Sequence, residues 1–255
     1  MKIIVCIKQV PDIAREVEGT IDLLNIASII NPLDMYAIEE ALRIRQKFGG
    51  EIIVISMGPI QAKNGIREAI SMGADKGILI SDTNFNDADT LATARTIAAA
   101  IKRIGKFDLI LCGKQAIDGE TAQVPPQIAE LLDIPVVTFV RRIEEINNKY
   151  AKVERIIEVG IEEVKVFLPT LLTVVKEINE PRLPTLKGIL RAKQTEIPVW
   201  GLALLNLSAD EVGIKGSATQ VIRTATVKQK REGNIFHSAT DESIELITSI
   251  CNNSS

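Results

Sequence analysis

The sequence predicts an α/β fold: a doubly wound parallel sheet flanked by helices, with a β-hairpin addition and an extended C-terminal arm. Three observations carry this. Short apolar, β-branched runs alternate with segments of helical periodicity between Lys2 and Val140. Glycine and proline punctuate the alternation at Pro11, Gly49-Gly50, Gly58-Pro59, Gly73, Gly105 and Pro135. After Arg141 the pattern changes to two alternating, charged segments joined at Gly160. Repeated strand–helix alternation implies right-handed crossovers and a parallel sheet between helices, and the later pattern reads as an antiparallel hairpin.

Lys2 to Ile7 is a strand of the continuously apolar kind that burial on both faces requires, and Pro11 keeps it from running on. Asn31-Pro32 marks a turn, after which Ala37, Ala41, Ile44 and Phe48 recur at helical spacing up to Gly49-Gly50. Glu51 to Met57 is the second strand. A helix follows Gly58-Pro59 and ends near Met72-Gly73, and Gly77 to Ile80 is the third strand. Asn86 to Ile104 carries Ala94, Ile97, Ala98, Ile101 and Ile104 on one face, with Asp87 and Asp89 where the helix dipole favours negative charge. Leu109 to Cys112 is the fourth strand, the next helix holds Pro125 or Pro126 in its first turn, and Val136 to Val140 is the fifth strand.

Lys152 to Glu158 and Glu163 to Leu168 form the hairpin, and Leu171 to Val175 is a further buried strand. Pro181 and Pro184 make Asn179 to Leu186 extended or turned, exposing Leu183 and Leu186 beside a short helix at Lys187 to Lys193. Gly213 to Lys230 has few large apolar side chains and reads as an arm; about twenty extended residues reach ~65 Å. Thr240-Asp241-Glu242 caps a last helix with Ile244, Ile247 and Ile250 on one side. Residues 1–200 are thus the domain, and 201–255 the arm and short helix.

Composition excludes several functions. A chain of 255 residues that is 46% hydrophobic can bury a full core. Its net charge of -3, with both signs scattered, argues against nucleic acid and polybasic membrane binding. An N-terminus interrupted by Lys8 and the lack of a span-length apolar run predict a cytoplasmic protein without membrane insertion. Cys6, Cys112 and Cys251 are too dispersed for a disulfide frame, and His237 alone cannot build a triad or a histidine metal site.

The densest chemistry lies in DLILCGKQAIDGETAQVPPQIAELL, Asp108 to Leu132, where Lys114, Gln115, Asp118, Gly119, Glu120, Thr121 and Gln123 fall between a strand and a helix. In a parallel sheet this is where phosphates sit, although spacing alone leaves an ordinary polar loop equally open. The loops Ile7 to Pro11, Met57 to Pro59 and Gly113 to Gln127 face one crevice, with Asn31 to Asp34 folding over it. Gly58 and Gly113 leave room for a ligand, and Lys8 and Lys114 add positive charge if they point inward. Neither G-x-G-x-x-G after the first strand nor a P-loop occurs. Asp118 and Glu120 have no defined acid/base geometry, so no catalytic residue is assigned, and electron chemistry requires a bound cofactor.

IIVCIKQVPD, NPLDMYAIEEALRIR, MGADKGI, the Asp108 to Leu132 run and LPTLLTVVKEINEPRLPTL closely resemble the β subunit of electron-transfer flavoproteins, collinearly from Met1 to about Lys193. The resemblance implies a heterodimer with an α subunit that carries the electron-shuttling FAD, over which this chain sends its arm. It places nucleotide contacts at Cys6, Asn31, Pro32, Leu33, Asp34, Met57, Ala116, Ile117, Asp118, Gly119, Glu120, Thr121, Ala122, Gln123, Val124 and Gln127, to which the crevice loops read from the residues add Lys8, Gly58, Gly113, Lys114 and Gln115. It also gives Leu186, with Arg182 and Leu183 beside it, the exposed-leucine role that docks acyl-CoA dehydrogenases.

GIKGSATQV, Gly213 to Val221, and GETAQVPPQIAE are similar to signatures of the electron-bifurcating branch, although Ala218 stands where proline is usual and Pro125 where glycine is expected. That branch implies a second FAD in this chain, which takes a hydride from NADH and sends one electron to the α-subunit flavin and one to ferredoxin. The alternative is a carrier subunit holding structural AMP. An ATP-using enzyme or adenine-nucleotide sensor on a related fold is a third reading, opposed by the lack of a Ser-Gly-Gly phosphate loop.

Overall fold

The computed structural model describes residues 1–12, 28–222, 244–245 and 248–249. In chain order its elements are β1 (Lys2–Ile7), β2 (Gln9–Pro11), β3 (Ser28–Ile30), α1 (Pro32–Phe48), β4 (Glu51–Met57), α2 (Lys63–Met72), β5 (Lys76–Ile80), α3 (Thr90–Ile104) and β6 (Leu109–Gly113). Then come α4 (Val124–Leu132), β7 (Val136–Ile146), β8 (Tyr150–Ile157), β9 (Gly160–Phe167), β10 (Thr170–Val174), α5 (Leu186–Gln194), β11 (Val199–Trp200) and α6 (Leu202–Leu205). Among the described residues the main sheet has nine strands, ordered β11-β5-β4-β1-β6-β10-β7-β8-β9. β1 pairs in parallel with both β4 and β6, and β7-β8-β9 is the antiparallel addition. The predicted doubly wound parallel sheet, flanked by helices and extended by a hairpin, is the observed one.

The apolar run of β1 explains its central place. Ile3 and Val5 enter the core beneath α1 and α2, with Ile38, Leu42, Ile66 and Ile70. Ile4 enters the opposite core, with Ala94, Ile97 and Ile101 of α3 and Ile128 of α4. Side chains alternate across a strand, so a strand covered on both faces must be apolar throughout. Each isoleucine buried there contributes about 1.5–3 kcal/mol.

From β1 the chain winds outward through β4 and β5, then crosses under α3 to β6 on the other side of β1. The winding direction reverses between β1 and β6, and their carboxyl ends open a crevice there.

Several sequence expectations change in detail. The fifth strand runs to Ile146, because Phe139, in the left-handed region at φ 61, shifts the register and turns the strand from parallel pairing with β10 to antiparallel pairing with β8. The Phe139 N–H donates to Thr173 Oγ1 at this bend. The helix expected from Asn86 starts at Thr90, where Asp89 caps it by accepting the Ala92 N–H. Phe48, expected on the buried face of α1, is exposed at the helix end. Gln9–Pro11 pairs with β3 rather than forming a plain loop.

The compact unit runs from Met1 to Gln220. Leu205 and Val212 are buried in the α3 side of the core, and Arg95 donates to the Glu211 carbonyl. Leu205 and Val212, with Leu202 and Leu207 packed beside them and Ser217 and Thr219 hydrogen-bonded to Asp89, hold this stretch without a periodic pattern to announce it. The second unit is Val221–Ser255. Of the last predicted helix, residues 244–245 and 248–249 are helical; the Thr240 cap, His237, Cys251 and the arm beyond Ile222 lie outside the described residues.

Candidate functional site

At the carboxyl ends of β1, β4, β5 and β6 lies a cavity of about 760 Å³. Cys6 and Cys112, partners across β1 and β6, form part of its floor. Both are free thiols, and a hydrogen bond that the Cys112 S–H donates to the Cys6 sulfur, together with burial, pushes the Cys112 thiol up.

The first turn of α1 binds the strand ends together. Asp34 accepts the Lys8 N–H at 2.7 Å and the Gly113 N–H at 3.2 Å, joining the ends of β1 and β6. This close seat requires a glycine, since a Cβ on Gly113 would stand 2.4 Å from Asp34 Oδ1. Asn31, buried, donates from Nδ2 to the Gln115 carbonyl and accepts the Ile117 N–H at Oδ1. Lys8 Nζ reaches Asp118 at 2.6 Å, a half-exposed pair worth at most about 1 kcal/mol. One helix start therefore fixes both the crevice floor and the 115–118 loop.

Burial pushes the Asp34 carboxyl up to about 7, against the hydrogen bonds from Lys8, Asn31 and Gly113. The folded chain thus holds a proton that the unfolded chain releases near its ordinary value of 3.8. This group's contribution to stability is full below 3.8 and declines as pH rises to about 7. Relative to Asp34→Asn, the wild-type chain is expected to lose up to ~4 kcal/mol across that interval, at 1.36 kcal/mol per unit. Urea midpoints at several pH values check it: parallel pH profiles for the two proteins contradict it.

Glu120 at φ 50 and Ala122 at φ 55 lie in the left-handed region, a backbone conformation of the kind found where successive amides form anion-binding nests. Among the described residues no acceptor takes the Thr121 and Ala122 N–H groups. The α4 start offers less than its position suggests. Pro125 and Pro126 have no N–H and the Gln127 N–H goes to the Gln123 carbonyl, leaving the Val124 amide as the first-turn donor. The amides without a partner at this edge of the cavity therefore belong mostly to the loop rather than to the helix.

Of the sequence-predicted residues, Cys6, Lys8, Asp34, Met57, Gly58, Gly113, Gln115, Ala116, Asp118, Gly119, Glu120, Thr121, Ala122, Gln123 and Val124 line the cavity. Asn31, Pro32, Leu33, Ile117 and Gln127 do not line it; Asn31 and Ile117 brace the loop from behind. Gln127 donates to Thr90 Oγ1 while its buried Oε1 has no partner among the described residues. Lys114 leaves the crevice, its Nζ lying 5.3 Å over the Phe139 ring. Arg182, Leu183 and Leu186 are not part of the cavity either.

Sequence reasoning missed the opposite wall. Ser81, Asp82, Thr83, Phe85 and residues 86–90 line it, with Thr93 and Ile97 of α3. The signal was Ser81-Asp82-Thr83 directly after a predicted strand, which the same strand-end rule covers. The wall is acidic but occupied. N–H groups of Asn84 and Leu202 hold the Asp82 carboxyl below its usual range. At Asp89 burial pushes the other way, and hydrogen bonds from Ala92 and Thr219 prevail to hold it low. Beside this acidic wall, Met57, Phe85 and Ile97 give the cavity an apolar lining.

No helix among the described residues is long and apolar enough to cross a membrane. The electron transfer flavoprotein domain model matches residues 19–205. The chain is 47% identical over 250 residues to the electron transfer flavoprotein subunit beta of Thermoanaerobacterium thermosaccharolyticum, covering 96% of this chain and 95% of that one. It is 46% identical over 246 residues to caffeyl-CoA reductase-Etf complex subunit CarD of Acetobacterium woodii, covering 94% and 93%. Protein FixA of Azotobacter vinelandii is 41% identical over 240 residues, covering 90% and 85%. With a doubly wound sheet, a crevice at its reversal point and these near-full-length similarities, the chain belongs to the electron transfer flavoprotein family, on its β-subunit side.

Proposed function

We propose that this chain is the β subunit of a heterodimeric electron-transfer flavoprotein whose crevice holds FAD. It draws electrons from NADH in the cytoplasm for flavin-based bifurcation, one route leading to ferredoxin. The other leads through the flavin of an α partner to an acyl-CoA dehydrogenase that the Arg182 to Leu186 segment docks. The observation that carries the cofactor reading is the crevice itself. Its 760 Å³ fall within the ~300–1,000 Å³ range of small-molecule sites, and its length from the 119–123 loop to Phe85 and Ile97 leaves room for a dinucleotide. The names of two relatives support the dehydrogenase partner: a caffeyl-CoA reductase-Etf complex subunit and an acryloyl-CoA reductase electron transfer subunit.

The residues fit such a group. The Thr121 and Ala122 amides would receive its pyrophosphate, with Lys8 nearby. Asn31 and Asp34 hold the loop that presents those amides. Met57, Phe85 and Ile97 would shield a ring system from water, and the Asp82 and Asp89 wall would keep a second anion out. A flavin bound there supplies the one- and two-electron chemistry that the described side chains lack.

Gly119→Val tests the placement. A Cβ at Gly119 meets nothing within 4 Å, so the swap leaves the loop unstrained while adding bulk at the cavity wall. The expected result is loss of the cleft nucleotide with the α-subunit flavin retained and stability within about 0.5 kcal/mol of wild type. Full nucleotide content in the valine variant contradicts the placement.

A further inference from the structure

We infer that Glu39 of α1 is the positioning residue of the docking surface: through Arg182 it holds the 179–186 segment in its binding form before a partner arrives. This rests on the reading that the segment docks a dehydrogenase. Leu183 and Leu186 are 86% and 75% exposed, with Leu190 and Ile189 beside them. Exposed leucines on an extended loop collapse onto the nearest apolar surface unless the backbone is restrained. Here the restraint is specific. The Arg182 N–H donates to Glu39 Oε2 at 3.2 Å, its Nε to the same oxygen at 2.7 Å, and its Nη2 to Oε1 at 2.9 Å. Asn179 Nδ2 donates to the Tyr36 carbonyl and to Glu40 Oε2, pinning the segment one turn away.

Glu39 is an unusual helix residue, a carboxylate whose side chain is only 4% exposed. Burial pushes it up, yet Arg182 and Arg43 hold its carboxyl below the ordinary range. A buried ion pair adds little net stability compared with apolar packing, and its best-attested use is to fix one arrangement among several. The arrangement fixed here leaves the leucines facing outward, so little ordering remains to be done on binding. Arg182 supplies the bidentate fork that a lysine lacks.

The test uses the complete complex with the α subunit and a short-chain acyl-CoA dehydrogenase as the probe. Glu39→Gln is expected to weaken docking about 10-fold and to speed tryptic cleavage after Arg182 by a similar factor, with nucleotide content unchanged. Leu186→Ala is expected to weaken docking at least as much, and adding Glu39→Gln to it should cost clearly less than the 10-fold it costs alone, because Glu39 acts by placing the leucines of the segment. Wild-type docking by Glu39→Gln, or losses that multiply in the double variant, overturns the inference. Wild-type docking by Leu186→Ala overturns instead the docking reading on which it rests. Should Glu39→Gln fail to assemble, Arg182→Lys makes the same comparison with the charge kept and the fork removed.

Discussion

Gly113→Ala is expected to empty the crevice and to destabilise the chain by about 2–4 kcal/mol, combining overpacking of ~1–3 kcal/mol with a lost hydrogen bond of about 1 kcal/mol. The added methyl would stand 2.4 Å from Asp34 Oδ1, 2.7 Å from the Leu33 carbonyl carbon and 2.9 Å from the Asp34 nitrogen. Two of these neighbours are backbone, so no side-chain rotation relieves the contact. The third carries the carboxylate that accepts the Lys8 and Gly113 N–H groups. Moving the first turn of α1 away therefore also breaks the tie between β1 and β6 and loosens the loop that Asn31 braces. Urea denaturation and nucleotide content read the two effects together. A stable alanine variant with a full cleft contradicts the seating of α1 described above. The contrast with Gly119→Val is informative, since that change removes the ligand without touching the frame.

Gly188→Ala should damage the docking platform and leave the crevice intact. Helix propensity alone makes this exchange favourable by about 1 kcal/mol. Packing reverses the sign. A Cβ at Gly188 would lie 2.0 Å from the Ser71 carbonyl oxygen and 2.9 Å from its carbon, both backbone atoms of α2. α5 would have to lift, and the Arg191 hydrogen bonds to the Ile70 and Ala74 carbonyls, 2.8 and 2.6 Å long, would lengthen or break. The expected net loss is about 2 kcal/mol, with weaker dehydrogenase docking and unchanged nucleotide content. A variant more stable than wild type would mean that α5 does not pack on α2 in solution.

The sequence made the sheet legible because burial on both faces forces an unbroken apolar run, as in Ile3 to Ile7, and because glycine and proline mark each reversal. The near side of the crevice was legible for a related reason: polar side chains gathered between a strand and a helix have few places to point. What stayed hidden depends on distant partners. Glu39 and Glu40 interrupt the apolar face of α1, and apart from the Arg43 pair with Glu39 their partners are Asn179 and Arg182, some 140 residues away. Phe139 takes a left-handed conformation that no local pattern encodes in an aromatic residue, so the bend of β7 was unforeseen. Residues 201–220 join the compact unit through Leu205 and Val212, two side chains in a stretch without period. Lys114 reads as a phosphate ligand by position, yet it turns to the ring of Phe139, a residue brought near only by the sheet.

The most direct test of the central claim is to denature the native complex in acid and identify every nucleotide released per αβ pair. The account predicts two FAD, one from each subunit. One FAD with one AMP would refute the flavin in this cleft, and one FAD with no second nucleotide would refute the cleft as a nucleotide site at all.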